Sequence, residues 1–326
     1  MLAAFLALGT AGGHAATPDD ADASGERDPA IWIVEYENDI FSGQDRYYSS
    51  GVRLSRIADA RTPPSWLESV ARRFPGFDEA DTLPYRLSIG HNIYTPADIE
   101  NPAPPPADRP YAGWLNVQFA TGTLHPKGAD RVRVALGWVG PGALGEKIQK
   151  SIHSAIGSPA PVGWEDQISN EATLQVGYDR FRRFITYEDR FDLAWFGGTS
   201  LGTPHTHLSV GGFARFGNHM PEGYGPPRIT PAISGSGYFS PRPVRSWYVY
   251  AGIEGRHVLR DMFLQGNTFG GVDGVGIKRQ VGEVFGGAVY SHGAFRVAYT
   301  HVWRSREFDG QVEPHNYGAL SFSLWW

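Results

Sequence analysis

The chain has 326 residues, 29 Lys+Arg against 34 Asp+Glu for a net charge of −5, and 41 Gly, 10 Trp, 15 Tyr and 18 Phe. Such glycine and aromatic enrichment with modest charge suits strands and turns rather than a helical bundle. No basic run marks a nucleic-acid partner, and the absence of cysteine rules out thiol catalysis, disulfides and Cys-ligated zinc.

The N-terminus opens on an apolar stretch, Met1 to Leu8, followed by Gly12-Gly13-His14-Ala15-Ala16. An apolar core with small residues ahead of a polar stretch reads as a secretory signal peptide over 1–16, without the usual basic start and so shortened at its N-terminus. Residues 17–29 then form a flexible polar segment and 30–326 the folded domain. No later apolar run reaches about 18 residues, so no membrane helix is expected. The exported chain either stays in the periplasm or spans a membrane as a barrel.

Many segments alternate at period two. Val132, Val134, Leu136 and Trp138 alternate with Arg131, Arg133, Ala135 and Gly137, and Leu320, Phe322, Leu324 and Trp326 enclose Ser321 and Ser323. Large apolar side chains on one face and small or polar ones on the other suit strands between lipid and a polar lumen. Strands are expected to begin near Ile31, Gly51, Tyr85, Ala112, Arg131, Glu171, Arg190, His207, Trp247, Glu283, Ala294 and Gly318. The predicted fold is all-β: a closed antiparallel transmembrane β-barrel of about twelve strands, an even number as bacterial single-chain barrels require. A soluble β-sandwich alternates too. The final Trp326, and Trp32, Tyr47, Tyr48, Trp114, Trp247, Tyr248, Trp303 and Trp325 near strand ends, read as interface girdles and favour the membrane.

With both termini in the periplasm, short inner turns fall at 125–130 and 291–293. Long outer loops fall at 94–111, 140–170, 259–280 and 304–316, the asymmetry expected of such barrels. The long connections 57–84 and 217–246 land on the inner side. Either the threading is off there or small periplasmic elements exist.

The outer loop 140–170 holds a short helix, since Leu144, Ile148, Ile152 and Ile156 repeat every four residues and Gly157 follows as a stop. This apolar stripe should pack on the barrel rim or touch lipid. His153 falls roughly 60° beyond its edge, at the border of packed and wet surface. A neutral imidazole there is either a general base or a solvated surface histidine. Glu37-Asn38-Asp39 is either turn chemistry or a set of oxygen ligands for a hard cation such as Ca²⁺, beside side chains that fix a carbonyl. Asn38 and Asp39 point to opposite faces in a regular strand, so both serve one site only if the strand bulges or ends there. Ser49 is a nucleophile, a hydrogen-bond donor or turn filler. Arg46 and Arg109 either meet phosphate or are simply solvated. His205, His207 and His219 lack metal-ligand spacing and read as surface or girdle residues.

At these residues the sequence resembles a known family. Glu37-Asn38-Asp39-x-Phe41 with Asp45-Arg46-Tyr47-Tyr48-Ser49-Ser50-Gly51, then Gly90 to Pro96 (G-H-N-I-Y-T-P) and Asp108 to Trp114 (D-R-P-Y-A-G-W), are similar to the outer-membrane lipid A 3′-O-deacylases (LpxR-like). So are Gly137 to Pro141, the Gln149–His153 helix, Gly163 to Glu171, Phe263 to Phe269 and Arg304 to Gln311. The resemblance covers nearly the whole mature chain.

It implies a barrel with a loop helix leaning on its wall, a Ca²⁺ cofactor, and hydrolysis of the 3′ acyloxyacyl ester of lipid A in the outer leaflet. Carried across, His153 activates water, Asn38 and Asp39 lie at the centre, and Ser49 stands where the family commonly has Thr. Arg46, Arg109 and Gln149 are expected at the substrate, and Asp39 and Glu37 at the metal. A supporting acid is sought in Glu165, Asp166 or Glu171. The expected partner is lipopolysaccharide, and the protein a membrane-embedded monomer. Two rivals remain open: a phospholipase-type esterase at the same site, and a non-enzymatic porin or structural barrel on the same scaffold.

Overall fold

The computed structural model describes residues 30–43, 46–58, 63–77, 84–103, 105–125, 127–220 and 242–326. The signal-peptide and flexible-segment expectations for 1–29 lie outside these residues. The strands, in chain order, are β1 (Ala30–Asn38), β2 (Tyr47–Ala58), β3 (Tyr85–Thr95), β4 (Ala112–His125), β5 (Gly128–Val139) and β6 (Glu171–Tyr187). They continue as β7 (Phe191–Gly202), β8 (His205–Asn218), β9 (Arg242–Asp261), β10 (Gln280–Gly293), β11 (Phe295–Arg304) and β12 (His315–Trp325). Each strand pairs antiparallel with its neighbours in sequence, and β1 pairs with β12, so the sheet closes into a barrel. The expected fold is therefore observed, with every strand close to its predicted start. Closure leaves no sheet edge, the condition for a sheet to cross a bilayer.

The period-two pattern sorts side chains by wall face. On β1 and β12, Trp32, Val34, Phe322 and Leu324 face outward, each 42–44% exposed, while Ile31, Ile33, Glu35 and Glu37 point inward and are buried. The inside is filled. Glu35 bridges Arg53 and Arg86, Asp179 bridges Arg131 and Arg133, and Glu283 bridges Arg256 and Arg304. Between these pairs lies an aromatic cluster that includes Tyr94, Trp114, Phe181, Phe196, Phe213, Phe263 and Phe285. Phe263 belongs to a one-turn helix after β9, Met262–Gln265, and its ring stacks on Tyr94 at 4.2 Å.

The girdle expectation holds for part of its set. Trp32, Trp247 and Trp303 face outward, but Tyr47, Tyr48, Trp114 and Tyr248 are 1–3% exposed, inside the barrel or under its loops. Nearness to a strand end does not decide the face; parity along the strand does. His205 and His207 are likewise buried inside, whereas His219 is exposed beside Asp189. Connection 57–84 does contain a small element: α1 (Ser65–Ala71) buries Leu67 and Ala71 and sets Trp66 edge-on to Phe119 of β4. Most of connection 217–246 lies outside the described residues.

Candidate active site

The site begins where β1 stops. Asn38 is extended, and its Oδ1 accepts from the backbone N–H of Ile40 (2.8 Å), capping a 3₁₀ turn, Asp39–Ser42. The alternation therefore ends at Asn38, and Asp39 is freed from the opposite face; the strand ends where the two residues need it to. Asn38 Nδ2 also donates to Ser49 O (2.7 Å), and Asp39 Oδ2 accepts from the N–H of Arg46 (2.5 Å). Both bonds fasten the turn to the start of β2.

The start of β2 is irregular as well. Tyr48 pairs with Tyr94 but Ser50 pairs with Ile93, so Ser49 is the extra residue of a β-bulge. The bulge lets the consecutive Ser49 and Ser50 line the same cleft. Ser49 Oγ is 2.6 Å from Thr95 Oγ1, both buried.

The opposite wall is α2 (Gly145–Ile156), stopped by Gly157 in a left-handed conformation (φ 72°). A Cβ on Gly113 of β4 would lie 2.9 Å from Gly145 Cα, so only a glycine pair allows the helix this close to the barrel. The inward face of α2 is Gly145, Gln149 and His153, four residues apart and all buried. Leu144, Ile148, Ile152 and Ile156 stay 36–52% exposed, with Ile152 and Ile156 reaching the edge of the cleft described below. The stripe is exposed rather than packed on the rim, and the polar edge does the packing. His153 is accordingly buried, at 7% exposure, rather than at a wet border. The cause is the small Gly145–Gly113 contact, which spacing on α2 alone does not reveal.

His153 Nδ1 lies 2.7 Å from the carbonyl oxygen of Pro159. A carbonyl only accepts, so Nδ1 carries the hydrogen and the neutral ring has its lone pair on Nε2. One turn earlier, Gln149 Oε1 accepts from Trp164 Nε1 (3.0 Å). Together Asn38, Asp39, Ser49, Gln149 and His153 line one cleft of about 500 Å³ between barrel wall and helix. Tyr36, Ile40, Ile93, Ile99, Ile152 and Ile156 give it apolar walls.

Other expected residues lie elsewhere. Glu37 points into the barrel toward Tyr48. Arg109 is buried inside, its guanidinium 4.9 Å from the Tyr94 ring and donating to Phe263 O. Arg46 enters the site through its backbone N–H, while its guanidinium pairs with Glu313. Glu171 accepts from Asn267 Nδ2 and the N–H of Thr268, locking two outer loops together. Glu165 and Asp166 are exposed on a 3₁₀ turn away from the cleft lining. Besides Asp39, the acids that line the cleft are Asp98 and Glu100, just after the Gly90 to Pro96 motif. Thr95 and Trp164 also sit in motifs, but only the bulge and the helix contact give them partners.

Among the described residues no group of three or more His, Cys, Asp or Glu side chains is placed to hold a metal ion. The cleft's donors are oxygens from Asp39, Asn38, Ser49, Asp98 and Glu100. That donor class fits a hard cation completed by backbone, water or substrate oxygens, and not a thiolate-seeking metal.

The sequence model described as outer membrane protein LpxR matches residues 1–326. The chain belongs to this LpxR family. LpxR from Salmonella typhimurium has the same fold, with a TM-score of 0.74 at 19% identity over 90% of this chain and 99% of that one. The beta domain of the Bordetella autotransporter BrkA (TM-score 0.43, 9% identity, 91% and 97% covered) and the translocator domain of NalP from Neisseria meningitidis (0.38, 9%, 91% and 87%) are more distant. No curated protein matches the chain. As an LpxR-family barrel the protein resides in the outer membrane; the connections after β3, β5, β9 and β11 lie at the α2 end, and the long ones after β2 and β8 at the other. Leu115 on β4 and Leu136 and Trp138 on β5 are exposed apolar side chains too.

Proposed function

We propose that this LpxR-family protein is a lipid A deacylase that hydrolyses the 3′-linked acyloxyacyl ester. One observation carries the reading: a histidine with its tautomer fixed stands in the same lipid-side cleft as Asn38, Asp39 and Ser49.

In this mechanism the apolar walls receive acyl chain while the polar floor meets the ester. His153 Nε2 takes a proton from water as the water oxygen bonds to the ester carbonyl carbon. The carbon–oxygen bond to the sugar then breaks, and the imidazolium returns its proton to the departing alkoxide. The products are a free 3′ hydroxyl and a carboxylic acid, so no covalent acyl-enzyme is required. The Pro159 carbonyl holds the ring and favours the imidazolium that forms. The Asp39 carboxylate and Asn38 Oδ1 are the residues that would hold Ca²⁺, which would supply polarisation of the carbonyl when bound. Glu37 is not proposed as a ligand, because its side chain points into the barrel. The packed lumen speaks against a porin reading.

The test supplies purified protein in detergent and Ca²⁺ with lipid A and, separately, glycerophospholipid. Mass spectrometry should show loss of the 3′ acyl chains from lipid A only, and no loss with His153→Ala, whose barrel still folds. Cleavage by His153→Ala at the parent's rate removes the mechanism; faster cleavage of glycerophospholipid replaces the substrate.

A further inference from the structure

The segment Gly163 to Glu171 contributes no side chain to the cleft lining, yet Trp164 within it is 2% exposed and touches the catalytic helix. Its ring lies 4.8 Å from Tyr111 and clusters with Ile93 under the cleft. A Cβ on Gly145 would sit 2.8 Å from Trp164 Cη2, so the indole is wedged beneath the first turn of α2.

The indole N–H only donates, and at 3.0 Å it meets Gln149 Oε1. This bond decides which way the amide is turned. With oxygen toward the indole, Nε2 must point the other way, and there it is buried without a hydrogen-bond partner. Gln149 is 3% exposed and lines the same cleft as His153, one helical turn away. A buried amide donor left unmatched by the protein is open to water or to an acceptor that arrives with a ligand.

We infer that Trp164 is a positioning residue: it turns the Gln149 amide so that Nε2 donates to the carbonyl oxygen of the substrate ester as negative charge develops there. The inference rests on the hydrolase reading above. A rotated amide would offer oxygen to oxygen, so the indole acts through Gln149 and touches no reacting atom itself.

Four variants in the full-length barrel test it: Trp164→Phe, Gln149→Ala, Gln149→Glu and the double variant W164F/Q149A. Loss of the Gln149 donor should lower kcat about 10²-fold, as for a lost oxyanion donor. Gln149→Glu, which keeps the acceptor for the indole but cannot donate, should fall as far. Trp164→Phe keeps most of the packing and should lower kcat about 10-fold with KM changed less than about twofold. W164F/Q149A should be no slower than Gln149→Ala, since the two act as one unit. Losses that multiply instead overturn the inference. A second reading needs no turnover. The indole ¹⁵N–¹H resonance that disappears in Trp164→Phe should move in Gln149→Ala and stay in place in His153→Ala. An unmoved resonance in Gln149→Ala overturns the inference even in an active enzyme. An inactive parent protein with the resonance responding as expected sinks the hydrolase reading and leaves the Trp164–Gln149 link standing.

Discussion

Asn38 and Ser49, eleven residues apart, are joined by a 2.7 Å hydrogen bond from Asn38 Nδ2 to Ser49 O that fixes the end of β1 against the bulge of β2. The same Asn38 amide caps the turn carrying Asp39 through its oxygen. Asn38→Asp keeps the cap but sets a carboxylate against a carbonyl; Asn38→Ala loses both bonds. Each should lower kcat about 10- to 100-fold while circular dichroism of the barrel stays unchanged, because a lost hydrogen bond of about 1 kcal/mol cannot open a closed sheet. Steady-state hydrolysis in detergent decides the point, and an Asn38→Asp variant at full activity contradicts it.

Asp39 is a buried carboxylate in the cleft lining. Chelation of Ca²⁺ should stop hydrolysis reversibly without changing the thermal transition, since the barrel is closed by strand pairing rather than by metal. Asp39→Asn should leave activity low at every Ca²⁺ concentration, because a neutral amide is a weaker ligand for a hard cation. Titrating both proteins with Ca²⁺ after chelation measures this.

The outward stripe of α2 predicts a split between substrates. A lipid-facing charge costs about 0–1 kcal/mol near the interface and about 2–4 kcal/mol for a lysine or arginine at the bilayer midplane, less for an aspartate. Ile148→Asp, at a stripe position outside the cleft lining, should therefore slow hydrolysis of lipid A in vesicles several-fold, mainly through KM, and affect detergent-dispersed lipid A less. Equal losses in both settings contradict a lipid-facing stripe.

Inside the wall, Glu35 holds Arg53 at 2.7 Å and Arg86 at 2.8 Å with all three side chains buried. Removing the carboxylate leaves two buried guanidinium groups without it, a change that costs about 3–5 kcal/mol for a buried pair. Glu35→Ala should unfold at lower urea concentration in detergent, followed by tryptophan fluorescence. Its folded fraction should keep the parent kcat, because the trio lies inside the barrel and the cleft outside it.

Much of this protein is written in local order. Period-two alternation fixes strand identity and, once parity is known, which side chains meet lipid, since each residue flips the face. The four-residue spacing of Leu144, Ile148, Ile152 and Ile156 marks the loop helix, and the resemblance in the Glu37 to Gly51 motifs marks the residues that belong together. The tertiary structure decided what depends on partners far along the chain. Gly145 against Gly113 turned the polar edge of α2 inward and the apolar stripe outward. The bulge at Ser49 and the early end of β1 at Asn38 gathered side chains that regular strands would have scattered. Parity sent Glu37 into the barrel, and an aromatic environment held Arg109 there too. Periodicity reports the face a residue takes on its own element; which face is covered, and by what, follows from close packing between elements that no short stretch of sequence encodes.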